Sequence, residues 1–345
     1  MTEEKKTIAV LTTVNHPNSK VGDWFDITKN KTIVVGDNKT PQNWNHEKCV
    51  YYSMSDQKKS EFKISLQLPQ NHYTRKNLAY LFAIKSGASR IIDTDDDNFP
   101  YIDAWKNLVS NQFDLKILKP NERIAYKNIY SYFSNIEHPF WPRGFPLDQL
   151  LNDSSTICDN DIIAVKNKQN INLWQCMVDG DPDIDAIHRL IYTKTPKFIN
   201  KSALLFSENN FCAFNSQNTL WSNRKIFPLL YLPSTVSFRF TDILRGYVAQ
   251  AIMHAKNIRW GFFKSSAYQE RNDHNTMTDF NSEIIMYQEM NKIVNWLISS
   301  ISANYTIEDN LISCYKLLEK KGIVQMNELN LLELWLRDLS TILNN

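Results

Sequence analysis

Glycine is scarce in this chain, 8 of 345 residues, about a third of the usual share. Neither G-x-G-x-x-G nor G-x-x-x-x-G-K-[ST] occurs, so no glycine-rich loop wraps a phosphate in backbone N–H groups. Any phosphate must be held by a metal ion or by basic side chains. The five cysteines, Cys49, Cys158, Cys176, Cys212 and Cys314, are odd in number, scattered and without a C-x-x-C pair. That excludes a disulfide framework and a zinc knuckle, and predicts free thiols in a reducing compartment. No apolar run approaches the ~20 residues that cross a bilayer; Met1–Lys6 is polar and the run Ile8–Leu11 is short. The expectation is a cytoplasmic chain without an anchor of its own. Charge is nearly balanced, 39 Lys and Arg against 37 Asp and Glu, so no nucleic-acid partner is called for. A Ser-His-Asp order and a nucleophile elbow are also missing, which leaves hydrolase readings without support.

What is there reads as a folded protein of one large domain or up to two packed ones, with 43% hydrophobic and 22% charged residues. Thr7–Val14 and Lys31–Val35 are short, β-branched apolar runs that look like buried parallel strands, the second ending at the turn signal Gly36-Asp37. Apolar residues at helical spacing between Tyr73 and Ser86 close on Gly87, and Arg90-Ile91-Ile92 follows as a further strand. Strand, helix, strand predicts an α/β domain with a mostly parallel sheet, binding its ligands at the carboxyl ends of the strands. Residues 111–146, rich in aromatics and proline, predict a shaped loop or short strand. Ala186–Tyr192 and Asp242–His254 read as helices, and Phe280–Asn345 reads as helical throughout. The division is therefore an α/β ligand-binding domain over 1–279 and a helical C-terminal appendage over 280–345, the latter a cap or an association surface, for a second copy or another protein.

The sharpest local feature is Asp93-Thr94-Asp95-Asp96-Asp97-Asn98, directly after a strand. Carboxylates this close repel one another, and a hard divalent cation, Mg²⁺ or Mn²⁺, relieves that repulsion while taking further ligands from substrate phosphates. The preferred pair is Asp95 with Asp97, then Asp93 with Asp95; a solvated acidic turn is the bland alternative. Arg75 and Lys76 open the helix before this strand, where cations and helix amides can face an anion. Asp37 is placed to accept hydrogen bonds from ribose hydroxyls or simply to form a turn. Thr12 and Thr13 end the first strand, where a nucleobase edge could be read. Asp242 is either a helix N-cap or a general base. His274 is a candidate distant metal ligand or an ordinary surface histidine.

Ten segments in order, TT at 12–13, VGDNKTP at 35–41, YTRKNLAYL at 73–81, AI at 83–84, GA at 87–88, DTDDDN at 93–98, WPRGFPL at 141–147, VDGDPDIDA at 178–186, NSQNT at 215–219 and VSFRFTDILRGY at 236–247, resemble the motifs of the STELLO-like glycosyltransferase family. The resemblance covers about residues 7 to 283. It implies a GT-A-like fold, a nucleoside-diphosphate sugar donor with UDP favoured, a glycan or other hydroxyl acceptor, and Mn²⁺ or Mg²⁺ at a DxD-type motif. On that pattern Thr12, Thr13 and Asp37 hold the nucleoside, Arg75 and Lys76 meet the diphosphate, and Asp95 and Asp96 belong to the donor site. Asp95 serves the ribose and Asp97 the metal, and Asp242 would be the acceptor-side base if the reaction inverts; Asp95 and His274 are further candidates for the metal, and Asp179, Asp181 and Arg245 for the acceptor. Plant members carry a membrane anchor that is not seen here, which argues for a soluble bacterial-type relative. Arg143-Gly144-Phe145-Pro146 together with the acidic block is also similar to the reversibly glycosylated polypeptides, which include UDP-arabinopyranose mutases and whose arginine accepts the sugar. Arg143 is then a self-glycosylation site, an acceptor-binding residue, or a packing cation beside Trp141. A non-catalytic partner of a glycan synthase is the reading from another class.

Overall fold

The computed structural model describes residues 5–136, 138–165, 171–192, 197–270 and 275–344. Its frame is an eleven-stranded sheet. Strands β1 (Thr7–Thr13), β2 (Thr32–Gly36), β3 (Cys49–Tyr52) and β4 (Arg90–Thr94) lie side by side in the order β3-β2-β1-β4 and are all parallel. Ile8, Ala9, Val10 and Leu11 of β1 are all buried, although successive side chains point to opposite faces. Such a strand is covered on both sides and reads as a continuous apolar run. Beyond β4 the sheet continues through Asn218–Trp221, Ile171–Asp179, Arg259–Gln269, Ala203–Phe206, Leu115–Leu118 and Ile162–Ala164, with parallel and antiparallel pairings mixed. The α/β expectation holds, with the parallel character concentrated in the first four strands.

The helix Lys76–Lys85 is buried along nine of its ten residues, because the sheet covers one side and the helix Asn327–Leu343 the other. It stops as its sequence demands. Gly87 adopts φ +87°, Gly87 N–H donates to the Ile84 carbonyl and Ala88 N–H to the Ala83 carbonyl, a left-handed cap that glycine adopts without strain. The stretch 111–146 contains the strand Leu115–Leu118 and the short helix Ile129–Tyr132 within its loops.

The C-terminal region forms three helices, Thr276–Ser300, Ile307–Lys320 and Asn327–Leu343. Thr306 and Asp309 make a reciprocal capping box at the second, and Gly322 at φ +73° turns the chain after it. These helices are tied to the sheet body by buried carboxylates. Asp338 accepts from the amides of Lys63 and Ile64 at 3.0 and 2.9 Å. Glu328 accepts from the amides of Ser234 and Thr235 and from the Tyr231 hydroxyl. Among the described residues no helix is long and apolar enough to cross a membrane. All five cysteines are free thiols, and only Cys158 is exposed.

Candidate functional site

The strand order reverses between β1 and β4, which leaves a crevice at their carboxyl ends where open α/β sheets take ligands. A cleft of about 450 Å³ opens there, and its lining brings together Thr12, Thr13, Asp37, Arg75, Asp95, Asp96, Asp97, Arg143, Asp181 and Asp242 from the sequence reading. The two banks of the crevice are bonded to each other. Asp96 accepts from the Thr13 hydroxyl and, at 3.0 Å, from Asn15 Nδ2, while the Asp96 carbonyl accepts from Asn18.

The acidic block divides by depth. Asp93 is fully buried and faces the core, 2.7 Å from Lys76 Nζ and 2.9 Å from Arg245, with the Tyr80 hydroxyl donating at 2.8 Å. Lys76 is itself fully buried; its ammonium also lies 2.9 Å from Asp95 and donates to the Thr94 carbonyl at 2.6 Å. Burial alone would lower its pKa, but Asp93 and Asp95 outweigh this and hold it above the usual lysine value. Lys76 and Arg245, expected at the diphosphate and the acceptor, therefore lie beneath the cleft instead, as counter-charges to the block. A helix buried all round leaves a lysine no route to solvent other than such a partner.

Asp95 is 29% exposed and takes hydrogen bonds on Oδ1 from Lys76 and, at 3.1 Å, from the Tyr73 hydroxyl. Burial pushes its carboxyl up to about 7, Lys76 pulling against this and Asp97 adding to it. Asp97 accepts from Gln269 Nε2 at 2.9 Å, and burial raises its pKa too. Tyr73 OH also bonds Ser216 Oγ. Ser216 in turn donates its amide to Asp242 at 3.3 Å, so the block and Asp242 share one hydrogen-bonded chain.

On the nucleoside side, Asp37 accepts from the amides of Asn38, Asn71 and His72 at 2.7 to 3.0 Å, which fastens the 71–75 turn to the end of β2. Arg75 is 2% exposed, with Nε on Gln57 at 2.7 Å and NH1 on the Leu68 carbonyl at 3.2 Å. Its NH2 has no hydrogen-bond partner among the described residues, and burial lowers its pKa. A buried donor left over at a cleft wall is suited to an anionic or carbonyl oxygen of a ligand.

Across the cleft Arg143 binds Asp183 through Nε at 2.7 Å and NH2 at 2.8 Å, reaches Asp242 from NH2 at 3.1 Å, and donates from NH1 to the Arg239 carbonyl. Despite burial, which works the other way, Arg143 holds the Asp183 carboxyl below the usual range. The same two carboxylates hold the guanidinium protonated against its own burial. A guanidinium engaged on every nitrogen and kept charged is a poor nucleophile, so the geometry gives a self-glycosylation role no support. Gly144 at φ +83° packs against Ile243 where a methyl would collide, which lets the Arg143 segment approach the start of the helix Thr241–Ala255. Asp242 is not the N-cap of that helix. Phe240 occupies the cap position without a side-chain bond, and Asp242 sits in the first turn, with its carboxylate accepting from Arg143, from Ser216 and from the Ile243 amide at 3.1 Å.

Asp181 pairs with Arg189 at 2.6 Å inside the cleft. Asp179 lies outside the lining and accepts from Ser265 and Tyr101 at 2.8 and 3.2 Å. His274 lies outside the described residues. Sequence reasoning missed Tyr73, Asp183, Ser216, Gln269 and Asp279 as cleft or support residues; all but Gln269 and Asp279 fall inside the quoted motifs, which is the signal that could have found them.

Eight aspartates line the cleft against four arginines and one lysine, an excess of negative charge that opposes a diphosphate unless a cation accompanies it. Among the described residues no three His, Cys, Asp or Glu side chains form a metal cluster. Two adjacent carboxylates that burial drives towards protonation nevertheless fit Mg²⁺ or Mn²⁺, which bind through one or two carboxylates and fill the remaining positions with phosphate and water.

Residues 239–344 match the family model of STELLO glycosyltransferases. Over 96% of its length the chain is 22% identical to "Probable glycosyltransferase STELLO2" of Arabidopsis thaliana, and 22% identical to "Probable glycosyltransferase STELLO1" of the same plant over the same share. It spans 44% of the length of each of these relatives. The chain is thus similar to the STELLO glycosyltransferases over 96% of its length, and residues 239–344 carry the match to their family model.

Proposed function

We propose that the cleft binds a nucleoside-diphosphate sugar, with UDP as the favoured nucleotide, and transfers its hexosyl or pentosyl group to a hydroxyl of a glycan or other acceptor. The observation that carries this reading is the meeting of the Asp95–Asp97 block with Thr13 and Arg75 at the sheet's switch point, in a chain similar to proteins named as probable glycosyltransferases.

Thr12, Thr13 and the turn fastened by Asp37 line the nucleoside end, and the spare Arg75 NH2 faces the base or the phosphates. Asp95 and Asp97 would hold Mn²⁺ or Mg²⁺, which, when bound, neutralises charge on the departing diphosphate. Lys76 acts from below: it keeps Asp93 and Asp95 in place and compensates their charge without touching substrate. Arg143, engaged by Asp183, Asp242 and the Arg239 carbonyl, balances those two carboxylates and holds the wall opposite the nucleotide in shape.

The test is release of nucleoside diphosphate from a panel of UDP-, GDP- and ADP-sugars with Mn²⁺, with and without a library of alkyl glycosides, and mass spectrometry of the glycosides. Acceptor-stimulated release with a matching mass gain supports the reading. Binding of a donor without any release makes the chain a non-catalytic partner, and neither binding nor release overturns the assignment of the cleft.

A further inference from the structure

Seven of the eight cleft aspartates have partners named above, and Asp279 has none. It stands in the first turn of the helix Thr276–Ser300, lines the same cleft as Asp95 and Asp97, and is 9% exposed. Its amide donates to the Asn275 carbonyl, but its carboxylate has no hydrogen bond or ion pair among the described residues, although its neighbours in the cleft are closely matched to donors. A carboxylate at the cleft surface with no donor bound to it keeps its lone pairs free for the proton of an incoming hydroxyl. Asp242, the sequence-based candidate for acceptor-side base, is in the opposite condition: both its oxygens accept from Arg143, one also from Ser216 and the other from Ile243. It has little lone-pair capacity left for an incoming hydroxyl.

We propose that Asp279 is the acceptor-side base, a role that rests on the donor-site reading above. The acceptor oxygen attacks the anomeric carbon while its proton passes to an Asp279 carboxylate oxygen. The bond from the anomeric carbon to the diphosphate oxygen breaks, and its electron pair leaves with the nucleoside diphosphate. Configuration is inverted in this step. Because the next turn of the same helix holds Arg239 through Glu283, at 2.7 Å from Nε, the C-terminal helices supply a reacting group as well as a wall of the site.

The experiment compares wild type with Asp279→Asn, using the sugar-nucleotide panel with Mn²⁺ and two kinds of acceptor: alkyl glycosides, whose hydroxyl must lose a proton, and azide, which has none to lose. Asp279→Asn is expected to bind donor and to melt close to the wild-type temperature, since the carboxylate it replaces makes no hydrogen bond or ion pair among the described residues. Transfer to glycosides should fall about 100-fold or more, while glycosyl azide forms at close to the wild-type rate. Glycoside transfer at the wild-type rate in Asp279→Asn would overturn the proposal, as would a loss of azide transfer equal to the loss of glycoside transfer. A wild-type protein that releases no diphosphate with either acceptor would overturn the underlying donor reading instead, and the proposal with it.

Discussion

Arg143 joins Asp183 to Asp242: one guanidinium lies 2.7 Å from the first carboxylate and 3.1 Å from the second, and all three side chains are nearly closed to solvent. The three residues come from segments roughly forty and sixty positions apart along the chain, so this contact fixes the wall of the cleft by joining two loops to the first turn of the helix Thr241–Ala255. Removing the cation strands two buried carboxylates, which is costlier than the pair itself is favourable.

Arg143→Ala is therefore expected to lose about 3–5 kcal/mol of stability, the range for one broken buried ion pair, measured by urea unfolding at pH 7. Arg143→Lys should recover only part, because a lysine cannot bind Asp183 through two nitrogens while reaching Asp242. Intact mass after incubation with UDP-sugars should show no sugar adduct on the wild-type chain.

Asp95 gives a pH signature. Its carboxyl is pushed up to about 7 by burial, so the native chain holds this proton where the unfolded chain, with a carboxylate near 4, has released it. The contribution to stability is complete below about pH 4 and is lost as the pH rises through about 7. His188 and His254, both drawn down to about 4 by burial, act in the opposite sense, costing stability as the pH falls from about 6.5. The difference between wild type and Asp95→Asn separates the two. In EDTA, the variant should gain on wild type by on the order of 2 kcal/mol between pH 5 and 8; a difference that stays constant with pH would contradict the account.

The C-terminal helices are held to the sheet body by charge as well as by apolar packing. Glu328 is fully buried and satisfies the Ser234 and Thr235 amides and the Tyr231 hydroxyl together. Glu328→Ala should destabilise by about 3 kcal/mol, the upper range for hydrogen bonds to a charged group, read from the shift in urea midpoint at unchanged slope. A chain cut before Thr276 should fail to give a cooperative transition.

Much of this was legible in the sequence, in the places where local pattern decides structure. β-branched apolar runs gave β1, β2 and β4, Gly87 marked the end of the first long helix, and an acidic block after a buried strand marked the cleft. Lys76 and Arg245 were not legible, because a cation in a motif looks the same whether it faces substrate or neutralises a buried acid. Only the tertiary fold, which buries the helix Lys76–Lys85 on every side, makes that choice. Asp242 read as a cap or a base because an acid near a helix start can serve as either; the chain places the cap at Phe240, two residues earlier, and aims the carboxylate at Arg143. Asp279 carried no signal, since being unpartnered is a property of the assembled cleft and leaves no trace in spacing.

The most direct test of a metal-assisted donor site is calorimetric titration of wild type, Asp95→Asn and Asp97→Asn with UDP, GDP and ADP, each in Mn²⁺ and in EDTA. The account predicts that one nucleotide, with UDP favoured, binds wild type in Mn²⁺, that EDTA abolishes or strongly weakens this binding, and that both variants reproduce the EDTA result even with Mn²⁺ present. Equal binding in EDTA and Mn²⁺, or variants that bind as wild type does, would contradict it.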